Sequence, residues 1–312
     1  MPELPEVETV RRGLNGLILG RAIAGLQVYK PKSCPVDPLI LAEEIVGSTI
    51  VAIRRFAKLL SIDLSTDWSL AVHLKMTGQL VFRDDLDADE NWAGGHPTLS
   101  FLAHLPDRST RVVIDLTEPG RVGSPTSHLF FNDQRIFGWI KPMPSPDVER
   151  LDFVATLGPE PLTPDGERLE GTPARSAATG YLARVRRHPA MVVKAAILDQ
   201  TVIAGVGNIY ADEALWSAKI HPSTRIRDLS DNQLRKIFRE AGEAMMRSLA
   251  AGGSTMSTYI QPDGTPGSYL DQFANVFRRE GEPCPRCGTA IEKIRVAGRG
   301  THLCPRCQTV IA

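Results

Sequence analysis

The chain has 312 residues, of which 42% are hydrophobic, and its 36 basic side chains balance 36 acidic ones. This length favours two domains, or one domain with appendages, each able to bury a core. The zero net charge excludes a uniformly basic polyanion-binding protein, so binding to nucleic acid would require locally concentrated positive charge. No apolar run approaches a membrane span, and the acidic start lacks an apolar signal region, so we expect a cytoplasmic protein.

The start of the chain carries an unusual combination of groups. It reads Met1-Pro2-Glu3-Leu4-Pro5-Glu6-Val7-Glu8. Removal of Met1 would expose the secondary amine of Pro2, which titrates near pH ~8 and is therefore more often neutral and nucleophilic at pH 7 than a lysine amine. Glu3 stands beside it as a possible proton donor and acceptor. Taken alone, the stretch is better explained as an ordinary helix start, because proline and glutamate both suit that position.

After the first helix, residues 22–142 read as β structure. Strands are predicted within residues 51–64, 70–82, 98–105, 111–116 and 128–131. No helical pattern separates most of these runs, which favours a sandwich or barrel over a parallel α/β sheet. Residues 83–97 and 117–127 are polar loops rich in glycine and proline, and residues 142–146 read as a linker.

From residue 151 onward the apolar spacing becomes helical. Helices are predicted near residues 151–157, 173–186, 189–199, 208–217 and 230–250. The third and fourth of these are joined by a turn, residues 201–210, that is broken by Gly205 and Gly207. Residues 254–270 read as an exposed loop.

Four of the five cysteines lie near the C-terminus in two pairs of equal spacing. They are Cys284, Cys287, Cys304 and Cys307, with sixteen residues between the pairs. Two Cys-x2-Cys pairs joined by a hairpin fit a tetrahedral zinc ribbon. Because four thiolates leave the metal no open position, we predict one structural Zn2+ ion. Two disulfides or an iron–sulfur cluster are the alternatives, and a reducing compartment disfavours the disulfides.

Basic side chains concentrate in two segments. Residues 275–312 contain seven basic and three acidic residues, and residues 171–194 contain five basic residues and no acidic one. Arg299 lies between two glycines, which permit close approach of a partner, and its guanidinium can bind phosphate through two oxygens. Such runs are usually solvated faces, but beside a zinc ribbon and a glycine-broken helical turn they favour nucleic acid as the partner.

Five motifs in chain order resemble those of the bacterial formamidopyrimidine-DNA glycosylase family, also called 8-oxoguanine DNA glycosylase/AP lyase. They are the N-terminal motif Pro2-Glu3-Leu4-Pro5-Glu6-Val7-Glu8, the hairpin lysine motif Arg55-Phe56-Ala57-Lys58-Leu59-Leu60, the void-filling loop His73-Leu74-Lys75-Met76-Thr77-Gly78-Gln79-Leu80, the helix–two-turns–helix signature Gly205-Val206-Gly207-Asn208-Ile209-Tyr210-Ala211-Asp212-Glu213, and the four-cysteine ribbon with Arg299. The resemblance covers essentially the whole chain.

The resemblance implies an α+β fold with three parts. An N-terminal β-sandwich with flanking helices would occupy residues 1–142, a helical helix–two-turns–helix domain residues 151–275, and a C-terminal zinc-ribbon hairpin residues 276–312. Double-stranded DNA with oxidised bases or abasic sites would run across the cleft between the β-sandwich and the helical domain. The protein is expected to act as a monomer, near the nucleoid.

The resemblance also implies catalytic roles. Pro2 would attack C1′ of the damaged nucleotide to form a Schiff base, and Glu3 would donate and accept protons at the sugar. Lys58 and Arg299 would hold the phosphates that flank the lesion.

Five further residues are implied to contact DNA. Met76 would fill the gap left by the extruded base, Phe137 would act as a wedge, and Arg135 would read the orphan cytosine. Asn208, at the start of a helix, would bind phosphate, and Lys194 would lie near the same backbone.

The sequence departs from the family pattern in two places. The commoner Asp-Pro-Arg-Arg-Phe-Gly motif here reads Asp133-Gln134-Arg135-Ile136-Phe137-Gly138, so one arginine is replaced by isoleucine. The loop of residues 117–127 is also longer than usual.

The implied activity is base-excision repair: removal of oxidised purines, such as 8-oxoguanine and formamidopyrimidines, followed by β,δ-elimination of the strand. One alternative is an endonuclease VIII-like activity on oxidised pyrimidines, although Leu4 and the void-filling residues look like the purine branch. Another is a non-catalytic zinc-ribbon DNA-binding protein. Such a protein need not retain Pro2, Glu3 and Lys58 together.

Overall fold

The computed structural model describes residues 2–85, 92–95, 104–118, 124–252 and 274–309. Within them the chain forms two compact units. The first contains Pro2 and residues 6–155, and the second contains residues 3–5, 156–252 and 274–309. No helix in the described residues is long and apolar enough to cross a membrane.

The first unit is a β-sandwich of two antiparallel sheets. Its helices are most of α1 (Leu4–Ile18), α2 (Pro38–Ile40), α3 (Ser145–Arg150) and α4 (Asp152–Ala155), and its strands are β1 (Ala22–Val28), β2 (Ile50–Phe56), β3 (Leu59–Leu64), β4 (Trp68–His73), β5 (Gly78–Asp84), β6 (Trp92–Gly95), β7 (Thr110–Thr117), β8 (Ser127–Asp133) and β9 (Trp139–Pro144). One sheet has the order β1-β7-β8-β5-β6 and the other β2-β3-β4-β9.

The core of this unit is built from both sheets and from α1. Val10 and Leu14 of α1 are fully buried with Ile62 of the four-stranded sheet and with Leu80 and Phe131 of the five-stranded one. The apolar positions of α1 recur every three or four residues, so they form one stripe that a sheet can cover.

The second unit is mainly helical. It contains α5 (Gly171–Val185), α6 (Val193–Leu198), α7 (Asn208–Ala218) and α8 (Asp231–Ala250). Ser230 and Gln233 form a reciprocal capping box at the start of α8, which satisfies two N–H groups that lack partners inside the helix. Tyr181, Tyr210 and Phe238 lie in the core that these helices share.

A two-stranded hairpin, β10 (Glu292–Val296) and β11 (Arg299–Leu303), completes the second unit. Its sharp turn is Ala297–Gly298, where both residues have positive φ, of 49° and 75°. The register makes Arg299 the first residue of β11, paired with Val296.

The α+β class is confirmed, with N-terminal sheets, a central helical region and a C-terminal hairpin, while several predicted boundaries of helices, strands and loops were wrong. Residues 142–146 are not a linker: they end β9 and begin α3, whose first turn tolerates proline because its N–H groups have no helical partner. The helix predicted at 151–157 is only the short α4, and the helix predicted at 189–199 is the shorter α6. β6 lies in the segment 83–97 that was predicted as a loop. Most of 98–105 and all of 254–270 lie outside the described residues.

Candidate active site and metal centre

Glu3 lies at the N-terminus of α7, within the second unit. It is only 3% exposed. Its carboxylate accepts hydrogen bonds from the N–H groups of Gly207 at 2.6 Å, Ile209 at 2.9 Å and Tyr210 at 3.5 Å. The first N–H groups of a helix have no helical acceptor and carry the positive end of its dipole, so they stabilise the ionised carboxylate. The start of α7 therefore fixes the position of the Glu3 carboxylate.

Two glycines before α7 make room for the start of the chain. A Cβ atom at Gly207 would lie 2.3 Å from Cδ of Glu3, and one at Gly205 would lie 2.5 Å from Cδ1 of Leu4. Leu4 also donates its N–H to the Gly205 carbonyl at 3.1 Å. Thus the glycines of the helix–two-turns–helix signature are required by close packing as well as by the turn, where Gly205 has φ of 85°.

Lys58 lies in the first unit, in the two-residue turn between β2 and β3. The preceding Ala57 has a left-handed φ of 53°. Lys58 is only 7% exposed, so neighbouring residues pack around its side chain and restrict its position. Arg55 supports the turn by donating to the Ala57 carbonyl at 3.3 Å.

Glu8 connects α1 to this turn. It is fully buried and accepts a hydrogen bond from Arg55 Nε at 3.1 Å. Burial opposes its ionisation, but hydrogen bonds from Arg11 and Arg12 and the charge of Arg55 outweigh burial and lower the pKa of Glu8. The third glutamate of the N-terminal motif is thus a structural anion that anchors the strand leading to Lys58.

His73 lies close to the charged side chains of Lys58 and Lys75, a grouping that sequence reasoning did not single out. Its ring centroid lies 5.8 Å from that of Trp139 and 6.1 Å from that of Phe153. Burial, with the charges of Lys75 and Lys58, lowers the pKa of His73 to about 3. The ring is therefore neutral at pH 7, and its Nδ1 accepts the Lys75 N–H at 3.1 Å. The signal in the sequence was the His-x-Lys pair inside the void-filling motif.

The structure brings together the three residues expected to fill the gap in DNA. Met76 and Phe137 are large apolar side chains with 41% and 49% exposure. The Arg135 guanidinium lies 4.8 Å from the Phe137 ring centroid, and its Nη1 lies 3.3 Å from Sδ of Met76. Two apolar side chains and one cation thus form one exposed cluster in the first unit.

Asp133 holds the loop that carries these groups, a role the sequence analysis missed. It is fully buried and accepts the N–H groups of Arg135 at 3.1 Å, Phe137 at 2.8 Å and Gly138 at 2.7 Å. The replaced position, Ile136, has φ of 57°, a conformation that is strained for a β-branched residue. The four contacts of Asp133, including one from the Thr77 hydroxyl, stabilise the loop against this strain.

Asp212 of α7 connects the helix to the hairpin. Its carboxylate accepts the His302 N–H at 3.0 Å and pairs with the Lys194 ammonium. Lys194 was expected beside the DNA backbone, but both side chains of this pair are fully buried. Lys194 also donates to the Asn208 carbonyl at 3.3 Å, so it supports the start of α7 from inside, and direct contact with a phosphate would require breaking its pair.

Asn208 begins α7, and Arg299 begins β11 of the hairpin that α7 contacts. Asn208 Nδ2 donates to the Gly300 carbonyl at 2.9 Å, next to the exposed Arg299 in the hairpin. Asn208 Oδ1 is buried and has no hydrogen-bond partner in the described part of the chain. Three of the N–H groups at this helix start are bound by Glu3, so any anion would meet the side chain of Asn208 rather than an open helix end.

The four C-terminal cysteines converge as predicted. The Sγ atoms of Cys284, Cys287, Cys304 and Cys307 all lie within 4.8 Å of one another. Thiolates bound about 2.3 Å from one zinc ion stand roughly 3.8 Å apart, so the cluster fits zinc, and none of the four is in a disulfide. Trp216 of α7 donates its indole N–H to Cys284 Sγ at 3.4 Å. The cysteines hold one structural Zn2+ ion and leave it no open position for catalysis.

The fold and this centre define a zinc-ribbon protein. Along the chain, a β-sandwich comes first, a helical unit second, and the ribbon last. Three family models match in order. They are the formamidopyrimidine-DNA glycosylase N-terminal domain at residues 1–140, its H2TH domain at residues 157–260, and the zinc finger found in FPG and IleRS at residues 281–310.

Individual relatives are similar over their full length. The chain is 37% identical to a formamidopyrimidine-DNA glycosylase of Pediococcus pentosaceus, covering 99% of this chain and 100% of the relative, and 39% identical to one of Chloroflexus aggregans, covering 100% of both. Among solved structures, a Lactococcus lactis FPG mutant in complex with DNA containing Fapy-dG aligns with a TM-score of 0.77 at 31% identity, covering 99% of this chain and 100% of that one. The chain belongs to the formamidopyrimidine-DNA glycosylase family.

Proposed function

We propose that the protein removes oxidised purines from duplex DNA with Pro2 as nucleophile and then cleaves the strand by β,δ-elimination. The observation that carries the proposal is Glu3, a buried carboxylate bound by three helix N–H groups and directly after Pro2 in the chain. The solved Lactococcus lactis relatives are complexes with DNA that contains Fapy-dG or an abasic site, which supports the same class of substrate.

The chemistry begins with removal of Met1, which lies outside the described residues. The ionised Glu3 takes the proton of the Pro2 amine, and the neutral amine attacks C1′ of the damaged nucleotide. The glycosidic bond breaks, and the departing base takes the proton of the Pro2 nitrogen. Glu3 then gives its proton to O4′ as the C1′–O4′ bond breaks, which leaves an iminium ion because the amine is secondary. The iminium accepts the electron pair of the C2′–H bond when that proton is lost, and this pair then expels the 3′ phosphate. Loss of a second proton, from C4′, expels the 5′ phosphate in the same way.

DNA contacts are proposed for both units. In the first unit, Lys58 binds a phosphate next to the lesion, in a field that Lys75 reinforces. Met76 and Phe137 fill the gap in the duplex, and Arg135 donates hydrogen bonds to the orphan cytosine. Met76 and Phe137 are each more than 40% exposed to water, which is unfavourable for apolar side chains unless a partner such as DNA covers them.

In the second unit, Arg299 and Asn208 bind the DNA backbone, and Lys194 holds the start of α7. The zinc ion stabilises the hairpin that carries Arg299 and performs no chemistry. We propose a bacterial cytoplasmic location at the nucleoid, a monomer as the active form, and the domain limits 1–142, 151–275 and 276–312.

The test is a borohydride trap with duplex DNA that contains 8-oxoguanine opposite cytosine. The wild-type protein should give a covalent adduct at Pro2, located by mass spectrometry, and intact mass should show that Met1 is absent. Glu3→Gln should bind the duplex with unchanged affinity but lose excision. Trapping of Pro2→Gly as strongly as wild type, at another residue, would refute the assignment of the nucleophile.

A parallel assay with thymine glycol separates the proposal from the endonuclease VIII-like alternative. Faster release of 8-oxoguanine is expected. Faster release of thymine glycol would assign the protein to the pyrimidine-directed activity instead.

A further inference from the structure

The second unit contains a groove between α5 and α8 that no step above uses. Its volume is about 590 Å³, and Pro161, Leu162, Arg168 and Leu169 complete its lining. The large apolar side chains of the lining are Leu162, Leu169, Phe238 and Met246. Leu169 and Met246 are only partly buried, so apolar surface remains open to solvent within the groove.

The rim of the groove is strongly basic. Its lining includes the five cations Arg168, Arg175, Arg235, Lys236 and Arg239, and the single acid Glu243. Glu243 is neutralised by Arg168, with which it forms a bidentate pair. Arg239 also pairs with its neighbour Glu240 at 3.0 Å, but the Arg239 side chain is 64% exposed, and such surface pairs are weak. Two carboxylates against five cations leave the groove with a net positive charge.

Two of the rim cations have only weak neutral partners in the described residues. Arg175 donates to the Thr172 hydroxyl at 3.4 Å and Arg235 to the Thr179 hydroxyl at 3.5 Å. Guanidinium groups bound to hydroxyls at such distances remain available to carboxylates, which form shorter and stronger charge-assisted hydrogen bonds.

The distribution of charge indicates the kind of partner. The α8 residues of the lining run from Asn232 to Met246, which corresponds to roughly 21 Å along the helix. The α8 cations Arg235, Lys236 and Arg239 lie within about one turn, roughly 6 Å, and Arg175 lies on α5. A small anion could meet these cations but would leave the apolar floor uncovered. A chain with several carboxylates and with large apolar side chains between them suits both the rim and the floor.

A duplex would use the groove poorly. Phosphates could pair with the rim, but the sugar–phosphate backbone has no side chain to place on the apolar floor, and the floor would remain wet. Basic residues on a helix are most often a solvated face, yet here they border an open apolar surface. Both features are used together only by an amphipathic, acidic partner.

We propose that the groove between α5 and α8 docks an acidic peptide segment of another protein. Its carboxylates would pair with Arg175, Arg235 and Arg239, and at least two large apolar side chains would cover Leu169 and Met246. The site is separate from the catalytic residues, so docking and base excision can be measured independently.

The probe is a fluorescein-labelled synthetic peptide of about fourteen residues, long enough to span the groove as a helix. It carries leucines on one helical face and glutamates on both sides of them. Two control peptides have the glutamates changed to glutamine or the leucines changed to serine. Binding is followed by fluorescence anisotropy at several salt concentrations, with the full-length zinc-loaded protein.

The test variant is Arg235→Glu combined with Arg239→Glu, since both side chains lie on the surface of α8. The matched control is Arg227→Glu, whose side chain is 58% exposed and lies outside the groove lining. We expect the acidic peptide to bind wild type and the control variant with micromolar affinity. Its binding to the test variant should be at least tenfold weaker, and both control peptides should bind wild type at least tenfold more weakly than the acidic peptide does. Circular dichroism and excision of 8-oxoguanine should be unchanged.

Three results would overturn the proposal. The peptide could fail to bind wild type, it could bind the test variant with full affinity, or the glutamine peptide could bind as well as the acidic one. A random-sequence duplex that displaces the peptide, and whose own affinity falls equally in the test variant, would make the groove a DNA-binding surface instead.

Discussion

The buried pair of Lys194 and Asp212 offers the sharpest test of how the second unit is held together. We consider Asp212→Asn, which keeps the shape of the side chain but removes its charge. Both members of the pair are fully buried, so Lys194 would lose its ion-pair partner in a site that water does not reach. Burial already lowers the pKa of Lys194, and the charge of Asp212 opposes this shift.

The cost of this change can be bounded in two ways. Removal of one partner from a buried pair typically destabilises a protein by about 3–5 kcal/mol. The ammonium could instead release its proton, and neutralising a lysine with an ordinary pKa near 10.4 costs roughly 4.6 kcal/mol at pH 7. Both estimates agree, so we expect Asp212→Asn to destabilise the second unit by about 3–5 kcal/mol.

A double-mutant cycle identifies the cause. Lys194→Met with Asp212→Asn removes both charges, and a neutral pair should recover stability to within about 1 kcal/mol of wild type. The single Lys194→Met variant should be the milder one, because the Asp212 carboxylate keeps its hydrogen bond from the His302 N–H.

The assay is urea unfolding, combined with hydrogen exchange of peptides from α6 and α7 so that the second unit is observed by itself. Zinc content is measured in parallel to exclude loss of the metal. A loss of less than 1 kcal/mol in Asp212→Asn, or a double mutant no more stable than that single mutant, would refute the reasoning.

Three further predictions concern the active site and the metal. Gly207→Ala should slow excision of 8-oxoguanine by ~10²-fold or more in single-turnover assays, because the new Cβ occupies the position of the Glu3 carboxylate, whereas an unchanged rate would show that Glu3 is not the proton-transfer group. The folded-state pKa of His73, about 3, lies below its unfolded value near 6.5. The unfolded state therefore binds the extra proton, and the free energy of unfolding falls as pH decreases from 6.5 toward 3. Between pH 7.5 and 5 the decrease in this free energy should be about 2 kcal/mol smaller in His73→Gln than in wild type, and parallel pH profiles of the two proteins would contradict this. Cys304→Ser should lose both zinc and DNA binding, while Arg299→Ala should keep zinc and lower the slope of log affinity against log salt by about one unit; full affinity of metal-free Cys304→Ser would show that the ribbon is dispensable.

Where the physical cause was local, sequence reasoning predicted the structure well. The spacing of the four cysteines was sufficient for the metal centre, because each Cys-x2-Cys turn presents two thiolates by itself. Helices α5, α7 and α8 were predicted to within a few residues, since the apolar period of a helix is contained in the segment that forms it. Strands β2 to β5, β7 and β8 were found as apolar runs, whereas β1, β6 and β9 were not. The separation of β2 from β3 and of β4 from β5 was also missed, because the turns there rely on positive φ at Ala57 and Lys75 rather than on glycine or proline.

The partners of the candidate catalytic residues were decided only by the tertiary structure. Glu3 meets Gly207 across 204 positions of sequence, and Asp212 meets His302 across 90. No local pattern encodes such a contact, because its energy depends on burial and on donors that folding brings together. The sequence by itself therefore determined which groups are present at the site, whereas the fold determined that Glu3 is bound by a helix start, that Lys194 is a buried support, and that Asp133 holds the wedge.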